Sequence, residues 1–215
     1  MARLLVFDLD GTLVDSSRDL ASAVNAALQQ VAPGTPAIPL PVVVGFVGEG
    51  ARLLVERALR HAGSGLPIEQ VLPVFFECYA ERLLDTTRLY DGIAEALDAL
   101  AAQTLAVLTN KPGPFSRRIL EGLGVGSRFA RIWGAGDVPA RKPDPAGLLQ
   151  LVEELQSSPA EAWMIGDSAI DVRTARAAGI RIAGAGWGLD PGALRAAGPD
   201  RLLAHPREIA ALMAS

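Results

Sequence analysis

The fold is decided by residues 4–12, which read Leu4-Leu5-Val6-Phe7-Asp8-Leu9-Asp10-Gly11-Thr12. A short, uninterrupted apolar run of this kind is typical of a strand buried on both faces of a parallel sheet. The glycine that follows indicates a turn directly after the strand. Side chains two residues apart lie on the same side of an extended chain, so we expect Asp8 and Asp10 to face one cleft.

Three later segments repeat this design, with apolar residues followed by polar or glycine residues. They are residues 105–108, 162–165 and 181–183. Helical patterns alternate with them at residues 93–100, 116–123, 145–155 and 168–178. Ser158 and Glu161 indicate a capping box at the start of a further helical turn. The alternation predicts an α/β fold with a Rossmann-like parallel sheet, whose ligands bind at the carboxyl ends of the strands.

The segment between the first strand and Tyr90 breaks this alternation. It has helical patterns at residues 16–31, 50–62 and 68–84, while residues 32–41 contain four prolines and one glycine and are expected to form a loop. We therefore predict an α/β core formed by residues 1–14 and 86–215. Residues 15–85 are predicted to form a small α-helical insert beside the ligand edge of the sheet, where it can act as a lid.

The composition excludes several classes of protein. Half of the 215 residues are hydrophobic and a fifth are charged, which is typical of a globular chain and not of a disordered one. The formal net charge of −4, without a basic cluster, argues against binding to nucleic acid or to an anionic membrane. No apolar run approaches the roughly 18 residues of a membrane helix.

The expected location is the cytoplasm. The single cysteine, Cys78, cannot form an internal disulfide, and the apolar stretch near the amino terminus is interrupted by Asp8 before it reaches the length of a signal peptide. The expected partner is a small molecule, and the sequence carries no signal for the oligomeric state.

Four carboxylates are expected to converge at the ligand edge of the sheet, because Asp167 and Asp171 follow another strand and lie four residues apart on a predicted helix. Two carboxylates 4 Å apart repel by roughly 4 kcal/mol at an effective dielectric constant of 20, so the cluster needs a cation or protonation. Oxygen ligands suit Mg²⁺, whereas His61 and His205 lie too far apart in the sequence to suggest zinc. We therefore predict a magnesium site.

A phosphate site is predicted next to this metal. Lys142 lies in a Lys-Pro-Asp-Pro segment whose prolines resist helix continuation, and it adds a positive charge that can face the same cleft. Thr109, Asn110 and neighbouring backbone N–H groups can donate hydrogen bonds to phosphate oxygens. Phosphate recognition would then be local, in spite of the negative charge of the whole chain.

Four motifs in this chain resemble those of the haloacid dehalogenase superfamily, in the same order. They are Asp8-Leu9-Asp10-Gly11-Thr12, Thr109-Asn110, Lys142-Pro143 and Gly166-Asp167-Ser168-Ala169-Ile170-Asp171. The insert after the first motif resembles the α-helical cap of the phosphoglycolate phosphatase-like branch, and residues 13–16, 47–59 and 109–112 resemble that branch in particular. The resemblance covers essentially the whole chain, and it implies a core of the haloacid dehalogenase type with an inserted cap domain.

The resemblance also implies a phosphatase that works through an aspartyl-phosphate. Asp8 would be the nucleophile, and Asp10 would be the general acid and then the general base. Mg²⁺ would bind the Asp8 side chain, the Asp10 backbone carbonyl and Asp167. Asp171 would be either a further metal ligand or a partner of the ligands.

Substrate contacts are implied in both parts of the chain. In the core, Thr109 and Lys142 would hold the transferring phosphoryl group, with Asn110 beside them. In the insert, the candidates for substrate contact are Gly48, Gly50 and Arg52. The glycine-rich residues 184–188 lack a full GxGxxG pattern and are expected to form a loop beside the active site.

The substrate that the resemblance favours is 2-phosphoglycolate. A phosphatase for another small phosphoester or for pyrophosphate is an alternative, and so is a sugar-phosphate mutase of the β-phosphoglucomutase type. A further alternative is a non-catalytic regulatory module that binds phosphate.

Overall fold

The computed structural model describes residues 3–214. Met1, Ala2 and Ser215, which the prediction assigned to the core, lie outside the described residues. The described chain divides into two compact units: residues 3–15 with 89–214 form the first, and Ser16–Arg88 form the second. The sequence analysis placed the boundaries of the insert at residues 15 and 85.

The first unit is built on a parallel sheet of six strands. The strands of the chain are β1 (Leu4–Phe7), β2 (Val14–Asp15), β3 (Arg88–Leu89), β4 (Thr104–Pro112), β5 (Arg131–Ala135), β6 (Ala162–Gly166), β7 (Arg181–Ala185) and β8 (Arg201–Leu203). The order in the large sheet is β5-β4-β1-β6-β7-β8, and β2 and β3 form a separate two-stranded sheet. The predicted α/β fold with a parallel sheet is confirmed.

The centre of the large sheet is its most buried part, because β1 lies between two strands that are themselves covered by helices. All four residues of β1 are buried, and Leu5 is in register with Leu105 on one side and Trp163 on the other. Each predicted apolar run is a strand here. The strands at the two edges, β5 and β8, were not predicted from the sequence.

Residues 3–214 contain nine α-helices and three 3₁₀ helices. The α-helices are α1 (Ser17–Val31), α2 (Leu40–Val44), α3 (Ala51–His61), α4 (Ile68–Glu81), α5 (Ile93–Ala99), α6 (Gly113–Gly122), α7 (Ala146–Glu154), α8 (Ala169–Ala178) and α9 (Pro191–Ala197). The 3₁₀ helices are Gly126–Arg128, Pro159–Glu161 and Pro206–Ala214. Within the described residues, no helix is both long and apolar enough to cross a membrane.

Two local predictions were wrong. The loop expected at residues 32–41 ends earlier, because α2 begins at Leu40 with Pro41 in its first turn, where the missing N–H of proline costs no hydrogen bond. The capping box expected at Ser158 does not form, since its hydroxyl bonds the Glu161 carboxylate at 3.0 Å instead of a backbone N–H.

The second unit consists of α1 to α4 around its own apolar core. The rings of Phe75 and Tyr79 stack with centroids 5.7 Å apart, and both residues are buried. Near the start of α1, the buried Asp19 carboxylate accepts hydrogen bonds from the backbone N–H and the hydroxyl of both Thr86 and Thr87, at 2.6 to 3.0 Å. This carboxylate therefore ties the first helix of the unit to its last residues.

Candidate active site

Neighbouring strands of the large sheet bring the predicted site residues of the first unit together. Asp8 directly follows β1, Thr109 lies near the end of β4, and Asp167 directly follows β6. Since β1 pairs with both β4 and β6 in parallel, these three positions lie on the same side of the sheet, towards the carboxyl ends of the strands. The Asp8 N–H donates to the Ile165 carbonyl at 2.9 Å, which continues the pairing up to the site.

Three carboxylates form a cluster at the carboxyl ends of these strands. Asp8, Asp167 and Asp171 each offer an oxygen, and these oxygens lie within 4.8 Å of one another. All three residues are buried, and Asp171 is not exposed at all. The side chain of Asp10 is not part of this group, so three carboxylates converge here and not the four that the sequence analysis expected.

Lys142 neutralises part of this negative charge. Its Nζ lies 2.6 Å from Asp171 Oδ1 and 2.8 Å from Asp8 Oδ1, and its side chain is only 2% exposed. Although burial lowers the pKa of the ammonium, the charges of Asp171 and Asp8 outweigh that effect and raise the pKa. Lys142 is therefore protonated at neutral pH.

The position of Lys142 is itself fixed by Asn110, whose Nδ2 donates to the Lys142 carbonyl at 3.0 Å. The amide of Asn110 thus holds the segment that carries the lysine. The donation of a hydrogen bond from Asn110 to phosphate stays a prediction. Thr109 is buried, and its hydroxyl oxygen accepts from the Lys111 N–H at 3.3 Å.

One lysine does not balance the cluster. Burial raises the pKa of Asp8 to about 6, against the lowering effect of Lys142, and the charge of Asp171 adds to the rise. Burial and the charges of Asp171 and Asp8 likewise raise the pKa of Asp167 well above its usual value. Among the described residues, Asp8 Oδ1 accepts no hydrogen bond, because its close contact with Lys142 is an ion pair without hydrogen-bond geometry. A buried set of oxygen donors short of positive charge fits a hard divalent cation such as Mg²⁺.

Asp171 has partners on both oxygens. Oδ1 contacts Lys142, while Oδ2 accepts from the Ser168 N–H at 3.1 Å and from the Ser168 hydroxyl at 2.6 Å. The Ser168 hydroxyl also accepts from the Asp171 N–H, which completes a capping box at the start of α8. This geometry favours the second of the two expected roles, in which Asp171 is a partner of the metal ligands.

Asp167 is enclosed by two glycines. A Cβ at Gly11, where φ is +84°, would lie 2.1 Å from Asp167 Oδ2, and one at Gly188 would lie 2.2 Å from Asp167 Cβ. The Leu189 N–H donates to Asp167 Oδ2 at 2.9 Å, and Trp187 Nε1 donates to the Thr12 carbonyl at 3.0 Å. The glycine-rich loop after β7 therefore lies against Asp167 and holds its orientation.

Lys111 is a site residue that the sequence analysis missed. Its Nζ lies 3.0 Å from each carboxylate oxygen of Asp10, and the two side chains are 3% and 13% exposed. Two signals in the sequence point to it. Lys111 is two residues from Thr109, the same spacing as that of Asp8 and Asp10, and it is one of only two lysines among the twenty Lys and Arg residues.

The insert candidates lie in the second unit. Gly50 directly precedes α3, and Arg52 lies in the first turn of that helix. The Arg52 guanidinium pairs with Glu56 at 2.9 Å and with Glu69 at 2.8 Å, and its side chain is 47% exposed. Its charge is thus already shared between two carboxylates, and substrate contact by Gly48, Gly50 and Arg52 stays a prediction.

Comparison with known proteins identifies the family of this chain. The family model described as haloacid dehalogenase-like hydrolase matches residues 5–185. The phosphoglycolate phosphatase of Pseudomonas putida is 39% identical over 199 residues, covering 89% of this chain and 72% of that protein. The phosphoglycolate phosphatase of Pectobacterium atrosepticum is 39% identical over 207 residues, covering 94% and 88%.

A solved structure shows the same similarity in three dimensions. The crystal structure of a protein described as a predicted phosphoglycolate phosphatase from Haemophilus somnus 129PT has a TM-score of 0.92 at 31% identity, covering 99% of this chain and 98% of that one. The resemblance found in the sequence motifs is therefore confirmed. This chain belongs to the haloacid dehalogenase-like hydrolases.

Proposed function

We propose that this protein is a Mg²⁺-dependent phosphatase that hydrolyses 2-phosphoglycolate to glycolate and phosphate. The observation that carries the chemistry is the buried cluster of Asp8, Asp167 and Asp171, two of which pair with the Lys142 ammonium. The choice of substrate is supported by relatives at 39% identity that bear the name phosphoglycolate phosphatase. We place the reaction in the cytoplasm, which suits a chain whose single cysteine is free and buried.

The metal would be held by the Asp8 and Asp167 side chains and by the Asp10 backbone carbonyl. Asp171 would fix Lys142 and would lie beside the metal without being one of its main ligands. When bound, Mg²⁺ supplies the positive charge that the three carboxylates lack and that the phosphate oxygens require. The buried oxygen donors and the ionised Lys142 support this assignment.

The reaction would take place in two steps. An Asp8 carboxylate oxygen attacks phosphorus, the ester P–O bond breaks, and the departing oxygen takes a proton from Asp10. A water molecule then gives a proton to Asp10 and attacks the phosphorus of the aspartyl-phosphate. The bond between phosphorus and Asp8 breaks, which releases phosphate and restores both carboxyl groups to their starting states.

Lys142 would stabilise charge throughout. Its ammonium already contacts the Asp8 oxygen, so it is close to the phosphoryl group that Asp8 receives. A fixed positive charge in a buried site needs no reorganisation during the reaction, which makes it a strong contributor to transition-state stabilisation. Thr109, buried in the second half of the neighbouring strand β4, is our candidate for a hydrogen bond to a phosphoryl oxygen.

The nucleophile is tested by Asp8→Asn. With Mg²⁺ present, the wild type should release phosphate from 2-phosphoglycolate, and Asp8→Asn should reduce this to background because the amide cannot form an aspartyl-phosphate. The exposed Asp91→Asn, in the same unit, is the matched control and should keep wild-type activity. Full activity in Asp8→Asn would overturn the assignment.

The substrate is tested by comparing kcat/KM for 2-phosphoglycolate, sugar phosphates and pyrophosphate. We expect the highest value for 2-phosphoglycolate. A higher value for another phosphoester would keep the phosphatase and replace its substrate. Isomerised sugar phosphate without release of phosphate would instead identify a mutase.

A further inference from the structure

We propose that Lys111 is the positioning residue for Asp10, holding that carboxylate where it exchanges protons with the leaving group and the attacking water. This inference rests on the proposed function and adds a residue to its mechanism. It begins from the two-point contact in which Lys111 Nζ lies 3.0 Å from both Asp10 oxygens.

A contact to both oxygens restrains the rotation of a carboxylate more than a contact to one oxygen does. Asp10 lies after β1 and outside the cluster of three carboxylates, and the contact with the ammonium fixes the direction of its carboxylate there. Lys111 thus holds the fourth carboxylate of the site apart from the three that cluster.

The chain's use of lysine supports this role. Eighteen of its twenty Lys and Arg residues are arginines, and the two lysines, Lys111 and Lys142, are each buried against the carboxylates of the site. A lysine ammonium is a compact charge on a flexible stem, whereas a guanidinium is planar and larger. The Lys111 side chain is only 3% exposed, so a larger group in its place would have to displace its neighbours.

A positioning role predicts a specific kinetic pattern. A general acid or base must lie within hydrogen-bond reach of the proton that it transfers, and a displacement of about 1 Å can cost about 100-fold in rate. The attack of Asp8 on an aryl phosphate such as 4-nitrophenyl phosphate needs little help from an acid, because nitrophenolate is a good leaving group. The second step needs a base for every substrate.

We therefore expect Lys111→Met to lower kcat for 2-phosphoglycolate by about 100-fold. With 4-nitrophenyl phosphate, the variant should show a rapid burst of about one nitrophenol per active site and then a slow steady state, since the aspartyl-phosphate forms and is hydrolysed slowly. Asp10→Asn should show the same pattern. The double variant should be no slower than Asp10→Asn alone, because both changes remove one function.

A purely structural role for Lys111 predicts a different result. Misfolded molecules would lower the burst amplitude and the steady-state rate by the same factor for both substrates, and the double variant would lose activity additively. Either result would overturn the proposal. Lys111→Gln, which keeps a polar side chain of similar length, gives a second variant should Lys111→Met fold poorly.

A measurement without metal or substrate completes the test. In protein labelled with ¹³C at lysine Cε, the two lysines give two resonances, and Asp10→Asn should shift the Lys111 resonance far more than that of Lys142. Equal or absent shifts would contradict the contact. Absence of turnover in the wild type on every phosphoester would instead refute the proposed function, while this spectrum would still report on the contact.

Discussion

Replacing Asp19 by asparagine tests how the second unit is held together. The carboxylate is 2% exposed and accepts from four donor groups, two on Thr86 and two on Thr87. Asparagine has nearly the same shape, but it lacks the charge and presents an NH₂ group where one oxygen was. At least one backbone N–H then faces another donor and loses a hydrogen bond, since the Thr86 N–H donates to both oxygens and the Thr87 N–H donates to Oδ2.

The expected loss of stability is about 3 kcal/mol. A hydrogen bond to a charged group contributes about 1.5–3 kcal/mol and a neutral one about 1 kcal/mol, while an unsatisfied buried donor costs about 1–3 kcal/mol. We take the loss of one bond and the weakening of the others together, since such contributions are not additive. For a chain of this size, 3 kcal/mol corresponds to a decrease in Tm of about 6–12 °C.

The loss should also depend on pH. Although burial raises the pKa of Asp19, the hydrogen bonds from Thr86 and Thr87 outweigh it and lower the pKa below its usual value. A lowered pKa means that the stabilisation is present above the unfolded value of about 4 and is lost as the pH falls through the folded value. The difference between wild type and variant should therefore shrink in acid.

The assay is urea unfolding followed by circular dichroism at 222 nm. Tryptophan fluorescence is unsuitable, because Trp133, Trp163 and Trp187 all lie in the first unit, whereas the second unit is helical. The matched control is Asp85→Asn, an exposed carboxylate next to Thr86, which should unfold like the wild type. If Asp19→Asn unfolds at the same urea concentration as this control at neutral pH, the reasoning is refuted.

Three further predictions concern the first unit. Gly188→Ala should displace Asp167, because the added methyl group would lie 2.2 Å from the Cβ of Asp167. The Mg²⁺ concentration for half-maximal activity should rise about tenfold as a result. The control Gly65→Ala, where the added methyl group would meet no atom within 4 Å, should match the wild type. Lys142→Met should lower the free energy of unfolding by about 3–5 kcal/mol in chemical denaturation, because two buried carboxylates lose their counter-charge, and an unchanged value would contradict the ion pairs. Because burial raises the pKa of Asp8 to about 6, the metal-free protein should lose stability as the pH rises from about 4 to about 6. Added Mg²⁺ should then raise Tm more at about pH 7.5 than at about pH 5. An equal rise in Tm at both pH values would exclude competition between the metal and the proton on Asp8.

The sequence predicts the centre of the sheet well and its edges poorly. β1, β4, β6 and β7 contain the predicted apolar runs and are almost entirely buried, as expected for inner strands of a parallel sheet. The edge strand β5 includes the exposed Arg131 and the half-buried Trp133, so it lacks a continuous apolar run. Its strand conformation depends on pairing with β4, which is a contact between distant parts of the chain.

The sequence also predicts only part of the candidate site. Asp8 and Asp167 could be predicted because each directly follows a buried apolar strand. Lys111 carries two signals in the sequence, its spacing from Thr109 and the scarcity of lysine, but neither identifies its partner Asp10, which is 101 residues away. The orientation of the Asp10 side chain also depends on that distant contact, which is why the sequence analysis placed four carboxylates together where the structure has three.

The scarcity of lysine has a practical consequence for handling the protein. Reagents that couple to primary amines, such as succinimidyl esters and aldehyde cross-linkers, find no lysine on the surface, because both ε-amines are enclosed and ion-paired. Attachment to a support or a dye through lysine would have to break the ion pairs with Asp10, or with Asp8 and Asp171. Surface chemistry on this protein should therefore be directed at carboxylates or at an engineered cysteine.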